Sequence, residues 1–154
     1  KIFDDIKDAK NIPTHLKDSE SLKIEVIPSR VMIRSKEKNL NKVMTSPILE
    51  PLIKELLSDY VEFVFNKPDF YINIDANTLV KSQIVDSGFP YFSYGNASVT
   101  FVDSENDQEF FVSSFSDVKG GDFGSQRTAG IRAYDQMKKS IVQELRENLL
   151  GIED

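Results

Sequence analysis

Residues 97–150 read ASVTFVDSENDQEFFVSSFSDVKGGDFGSQRTAGIRAYDQMKKSIVQELRENLL. With Tyr91 to Asn96 in front of it, the first part reads as a strand from Tyr91 to Asp103, bent at Gly95-Asn96. Glu109 to Val118 reads as its antiparallel partner, and the polar run 104–108 as the hairpin loop between them. The run 119–124, with Gly120, Gly121 and Gly124, reads as a strand-to-helix corner in which glycine supplies positive φ. Ser125 is placed to cap the helix that follows. On a wheel of about 100° per residue, Gly130, Ala133, Tyr134, Met137, Ile141 and Leu145 fall in one sector. Ala129, Gly130 and Ala133 are small, so the helix can approach a sheet closely at its start. Gly151 is the expected stop.

Upstream, 70–78 (FYINIDANT) alternates cleanly, with Ile72, Ile74 and Ala76 on one side. Leu79 to Val85 is an expected extension of this strand, ended by Asp86 to Pro90. Ser46 to Phe63 reads as a helix with Ser46 as its N-cap, settling after Glu50 because of Pro51. Its stripe is Leu49, Leu52, Ile53, Leu56, Leu57 and Tyr60. Leu22 to Ser35 is strand-like, interrupted by Pro28, and Lys36 to Lys42 reads as a polar loop. Residues 1–21 read as an N-terminal helix and linker, and 22–154 as a single α+β domain. The expected fold is α+β: a mostly antiparallel sheet of four or more strands with two main helices on one face. The alternative is a mixed sheet, with the first strand parallel to a neighbour through the crossover helix.

The chain has 154 residues, enough for one core of ordinary size. Its net charge of -6 disfavours a phosphate backbone as partner, so no nucleic acid is expected. The absence of cysteine excludes disulfides, thiolate nucleophiles and Cys-based metal sites. The sequence starts at Lys1 and itself contains no initiator Met, signal peptide or lipobox cysteine, as expected of a mature or trimmed piece.

No catalytic constellation stands out, so no enzyme activity and no cofactor is expected. His15 is a lone histidine in a polar segment. The glycine run lacks the Lys-Ser/Thr pair of a phosphate loop, and Asp122 would repel phosphate. Asp103, Glu105, Asp107 and Glu109 alternate as in a calcium loop, but Gln108 stands where the turn glycine belongs, so no metal is expected. Asn73, Asp75 and Asn77 share a strand face, which is either solvated or a binding surface; Asn73 and Asp75 are the ligand-binding candidates. The aromatics are dense on two adjacent strands. Adjacent pairs such as Tyr91-Phe92 and Phe110-Phe111 should point to opposite faces, so not all can enter one core. Tyr91, Tyr94, Phe110, Phe111 and Phe115 are therefore the protein-interface candidates. A groove joining Tyr91 and Tyr94 with Asn73 and Asp75 is the alternative, a small-ligand or carbohydrate site.

The turn Pro68-Asp69, the strand opening Phe70-Tyr71-Ile72-Asn73-Ile74, the aromatic strand ending at Asp103, the return to Val118-Lys119-Gly120-Gly121 and the helix with Ala129-Gly130-Ile131-Arg132-Ala133-Tyr134 form a recurrent order. It resembles the C-terminal module of Gram-negative envelope lipoproteins, notably the Bacteroidetes-type proteins grouped with the LPP family. It is also similar to the fold shared by the penicillin-binding-protein activator LpoB and the curli secretion lipoprotein CsgG. The resemblance covers roughly 22–150 and carries no catalytic residues. It implies a periplasmic module, tethered to the outer membrane through a lipid anchor outside this sequence. It also implies that the module binds an envelope protein or its own copies.

Overall fold

The computed structural model describes residues 27–81 and 90–151. Six strands form one sheet: β1 (Ser29–Asn39), β2 (Lys42–Val43), β3 (Val61–Phe63), β4 (Phe70–Leu79), β5 (Tyr91–Asp103) and β6 (Glu109–Asp122). The helices are α1 (Leu49–Leu57) and α2 (Gln126–Glu144), with α2 running on into a π-helical end, Leu145–Leu150. The sheet order is β2-β1-β4-β5-β6, with β3 beside β1. β4, β5 and β6 form an antiparallel meander, whereas β1 lies parallel to β3 and β4. The fold is α+β with a mixed sheet, and the crossover from β1 to its parallel neighbours runs through α1.

Strand alternation produces the layers. Val31 on β1, Ile72, Ile74 and Ala76 on β4, and Ala97, Val99 and Phe101 on β5 are buried together with Leu49, Ile53 and Leu57 of α1. From α2, Tyr134, Met137 and Ile141 join the same core, followed by Leu145. Both helices therefore cover one face. No described helix covers the other, where Arg34, Lys36, Asn73, Asp75, Ser98 and Thr100 lie in register. Among the described residues no helix is long and apolar enough to cross a membrane.

Three expectations change. β1 continues through the run expected to be a loop and ends in a two-residue hairpin, Leu40-Asn41, both at positive φ. Such a turn favours glycine or asparagine; Leu40 is held there because its N–H donates to Thr78 Oγ1 and that of Asn41 to Asn77 Oδ1. Second, α1 stops at Leu57, and Val61–Phe63 is a strand, because these residues pair with Ser29–Val31. Ser46 is not its cap. The N-terminus of α1 is capped from β1 by Glu37, whose buried carboxylate accepts from the N–H groups of Ile48, Leu49 and Glu50 at 2.7–3.1 Å. Third, Gly120 and Gly121 belong to β6 and do not turn the chain with positive φ. The N-terminal helix and linker (1–21), the strand portion 22–26 and His15 lie outside the described residues, as does most of the expected extension to Val85, whose described part stops being strand after Leu79.

What Gly120 supplies is room. A Cβ there would lie 2.2 Å from Ala129 O and from Ala133 N. A Cβ on Gly130 would lie 2.0 Å from Asn39 Oδ1. α2 thus rests almost directly on the sheet through small residues on both sides, as its sequence predicts. Ser125 caps it, accepting from Thr128 N at 3.0 Å. Gly151, at φ 65°, closes the π-helical end.

Candidate functional site

The aromatic strands place their rings unevenly. Register between β5 and β6 breaks twice, between Gly95 and Ala97 and between Phe101 and Val102. At the second break Phe101 pairs with Phe111 while Val102 pairs with Glu109, leaving Phe110 as the extra residue of a bulge. The expected opposite facing of Phe110 and Phe111 therefore fails. Both rings meet Phe101 edge-on, at 5.9 and 5.2 Å between centroids, and Phe110 also meets Phe70 at 5.5 Å. Phe111 and Phe115 are half-buried against the core, whereas Phe110 remains 44% exposed and Val112 54%.

The other candidates separate. Alternation along β5 puts Tyr91 on the side of Ser93 and Gly95, the helix side, and Tyr94 on the opposite side. Tyr94 pairs with Leu79, and Lys81 Nζ lies 5.3 Å from its ring. Asn73 and Asp75 lie on the uncovered face opposite Thr100 and Ser98. Asp75 and Tyr94 are thus roughly 13 Å apart along the sheet, four residues at the strand rise. The structure does not bring Tyr91, Tyr94, Asn73 and Asp75 around one groove. The uncovered face is instead knitted by cations over rings: Arg34 lies 3.5 Å from the Tyr71 centroid and Lys119 Nζ 3.7 Å from that of Phe92.

The acidic residues of the hairpin loop and the glycine corner serve the backbone around them. Asp103 Oδ1 accepts from the N–H groups of Glu105 and Asn106, which closes the hairpin loop. Asp122 Oδ1 accepts from the N–H groups of Gly124 and Ser125, which shapes the corner before α2. Among the described residues no cluster of His, Asp or Glu forms a metal site. Tyr134 is fully buried; burial first, then the Glu37 charge, raises its pKa well above the ordinary tyrosine value, and its hydroxyl donates to Lys38 O at 2.8 Å. A groove of about 610 Å³ lies between the β1–β2 hairpin and the start of α2, lined by Asn39, Lys42, Val43, Arg127 and Ile131. It contains none of the interface or ligand-binding candidates chosen from the sequence.

One long strand has a free side among the described residues. β6 is 14 residues long and, among the described residues, pairs only with β5. Its run from Phe110 to Ser116 carries no charge. The phase of its free groups follows from the hairpin, where Asp103 N donates to Gln108 O. Every second residue of β5 then faces β6, which turns the N–H and C=O of Phe111, Ser113 and Phe115 inward. Those of Val112 and Ser114 point out along the edge. Long uncharged edges of this kind are templates for another strand. Sequence reading found the aromatic residues of this strand but not the edge, because sheet order is not written in a strand's own pattern.

No family model matches the chain, and no curated protein sequence matches it. Among solved structures, it is similar to a protein described as a neuraminyllactose-binding hemagglutinin homolog from Helicobacter pylori. The two are 16% identical, the likeness covers 82% of this chain and 89% of that one, and the TM-score is 0.51. A minor lipoprotein from Acinetobacter baumannii is 10% identical over 80% of this chain and 95% of that one, at a TM-score of 0.46. Lipoprotein GNA1162 from Neisseria meningitidis is 16% identical over 75% and 99%, at 0.40. These likenesses do not single out Bacteroidetes-type proteins, LpoB or CsgG. The α+β fold of this chain is one it shares with the Helicobacter pylori protein.

Proposed function

We propose that this protein is a non-enzymatic module of a Gram-negative envelope lipoprotein, held in the periplasm near the outer membrane, and that it works by binding protein through the free edge of β6. The observation that carries the reading is that edge: 14 residues, uncharged from Phe110 to Ser116, with Phe110 and Val112 exposed beside it. Backbone groups at an edge give affinity to an added strand, and alternate side chains give it selectivity. The resemblance in element order to envelope lipoproteins supports the compartment.

Ser114→Pro tests the binding surface. Its N–H points outward, so proline removes an edge donor without breaking a bond to β5. Immobilised wild-type protein is expected to retain an envelope protein, or its own copies, that Ser114→Pro retains at least about tenfold less. Equal retention by both proteins would contradict the reading.

A second reading, a carbohydrate site, has one observation in its favour: the Helicobacter pylori protein of the same fold is described as a homolog of a neuraminyllactose-binding hemagglutinin. Tyr71, Asn73 and Asp75 on the uncovered face would carry it. A thermal shift with sialylated lactose that disappears in Asn73→Ala would favour this reading, and no shift would remove it.

A further inference from the structure

Ser113 is 3% exposed, and its hydroxyl has no hydrogen-bond partner among the described residues. It sits midway along the straight part of β6, between the bulge at Phe110 and the irregularity at Ser116-Asp117, where Asp117 takes a φ of 59°. Two residues to either side, on the same face, are Phe111 and Phe115. Buried hydroxyls are nearly always paired, and an orphan calls for an explanation.

Building on the edge-binding reading, we infer that the partner of this edge is a second copy of the chain, paired antiparallel with β6 about a two-fold axis at Ser113. The stretch is self-complementary about that residue. Reversing Phe111-Val112-Ser113-Ser114-Phe115 sets Ser113 against Ser113, Phe111 against Phe115 and Val112 against Ser114. Opposed residues share a face in every pair, as an antiparallel ladder requires. Val112 and Ser114, whose backbone groups point outward, become the hydrogen-bonded pairs, two per dimer. Ser113 against Ser113 is then a non-hydrogen-bonded pair, the arrangement in which opposed Cβ atoms come closest. The Phe111–Phe115 pairs on either side extend the aromatic cluster across the interface.

Charge favours the same register. Each copy carries -6, so two copies repel except where charge is absent. The seven residues from Phe110 to Ser116 are such a stretch, and the paired segment lies wholly within it. An isologous contact closes after two copies, which gives a dimer rather than a fibre.

The experiment is sedimentation equilibrium on the full chain and on Ser114→Pro, from about 1 µM to about 500 µM, with a cross-linking arm. The wild type is expected to reach twice the 17.5 kDa chain mass as concentration rises. Ser114→Pro, folded by circular dichroism, should have a dimer dissociation constant at least about tenfold higher, since each copy loses an inter-strand donor. The chain has no cysteine, so Ser113→Cys introduces a single thiol at the axis, and mild oxidation should give a disulfide dimer. Ser58→Cys, exposed at the end of α1, should not cross-link under the same conditions. A wild type that stays monomeric overturns the inference, as does a dimer unaffected by Ser114→Pro. Monomeric protein whose capture of a different envelope protein is lost in Ser114→Pro would overturn self-pairing and leave the edge-binding reading standing; loss of neither signal would remove both.

Discussion

Glu37 shows how much one side chain can decide. It stands on β1 with its carboxylate buried, and it accepts from the N–H groups of Ile48, Leu49 and Glu50 at the start of a helix that begins twelve residues later. A carboxylate at a helix start is also favoured by the helix dipole. Glu37→Ala is expected to cost about 2–3 kcal/mol, because three buried or half-buried donors lose a charged acceptor. Urea unfolding measures it, and Glu37→Gln should recover part of the loss. Tyr134 makes a separate prediction. Its pKa is raised in the folded state, so folding is favoured while the phenol keeps its proton. That stability is fully present below the ordinary tyrosine value of about 10 and falls as pH rises beyond it. Tyr134→Phe should cost about 1 kcal/mol at pH 8, from the lost bond to Lys38 O. It should also lose less than the wild type between about pH 8 and about pH 11, as followed by unfolding at the two values. The burial of Tyr134 was legible in the sequence, but its bond to Lys38 O and the role of Glu37 were not. Glu37 falls in a run that reads as a solvated loop, and only the tertiary contact with α1 gives it a role.

At the scale of elements, legibility tracked periodicity. β5 has the bounds its alternation implies and β4 ends at Leu79, one residue past its alternating run, because each is buried on one face by residues two apart; Val80 and Lys81 do not carry the expected extension. All six residues of the expected stripe of α2 and its continuation are buried. α1 is shorter than its pattern, because the apolar residues at 61 and 63 serve a strand equally well and pairing with β1 claims them. The glycines of β6 were visible but were read for the wrong property: space rather than positive φ. The contact between α2 and the sheet follows from that space, and it ranks three substitutions. Gly120→Ala should destabilise most, by about 3 kcal/mol or more, because its Cβ would strike backbone of α2. Gly130→Ala should cost about 1–2 kcal/mol; it gains helix propensity but displaces Asn39, which holds Thr78 and Arg127 O. Gly95→Ala should cost about 1 kcal/mol or less, since Met137, a flexible side chain, can yield. Thermal unfolding of the three variants gives the order.

For the whole molecule, the interface candidates chosen from the sequence divide by what the sheet does with them. Phe111 and Phe115 lie half-buried on the helix-covered face, Phe110 lies against its rim, and Tyr91 and Tyr94 are on opposite faces. Which strand stands at the edge depends on the order of all six. That order is set by long-range pairing, and the aromatic content of β6 alone does not disclose it. The edge of β6 is the proposed binding surface, and its outward groups belong to Val112 and Ser114. Residue-resolved amide hydrogen exchange across a series of protein concentrations tests this most directly. Val112 and Ser114 should exchange fast in dilute solution and slow by at least about tenfold as concentration rises, while Ser113 and Phe115 stay protected throughout. Fast exchange of Val112 and Ser114 at every concentration, or protection that rises equally over the whole sheet, would contradict it.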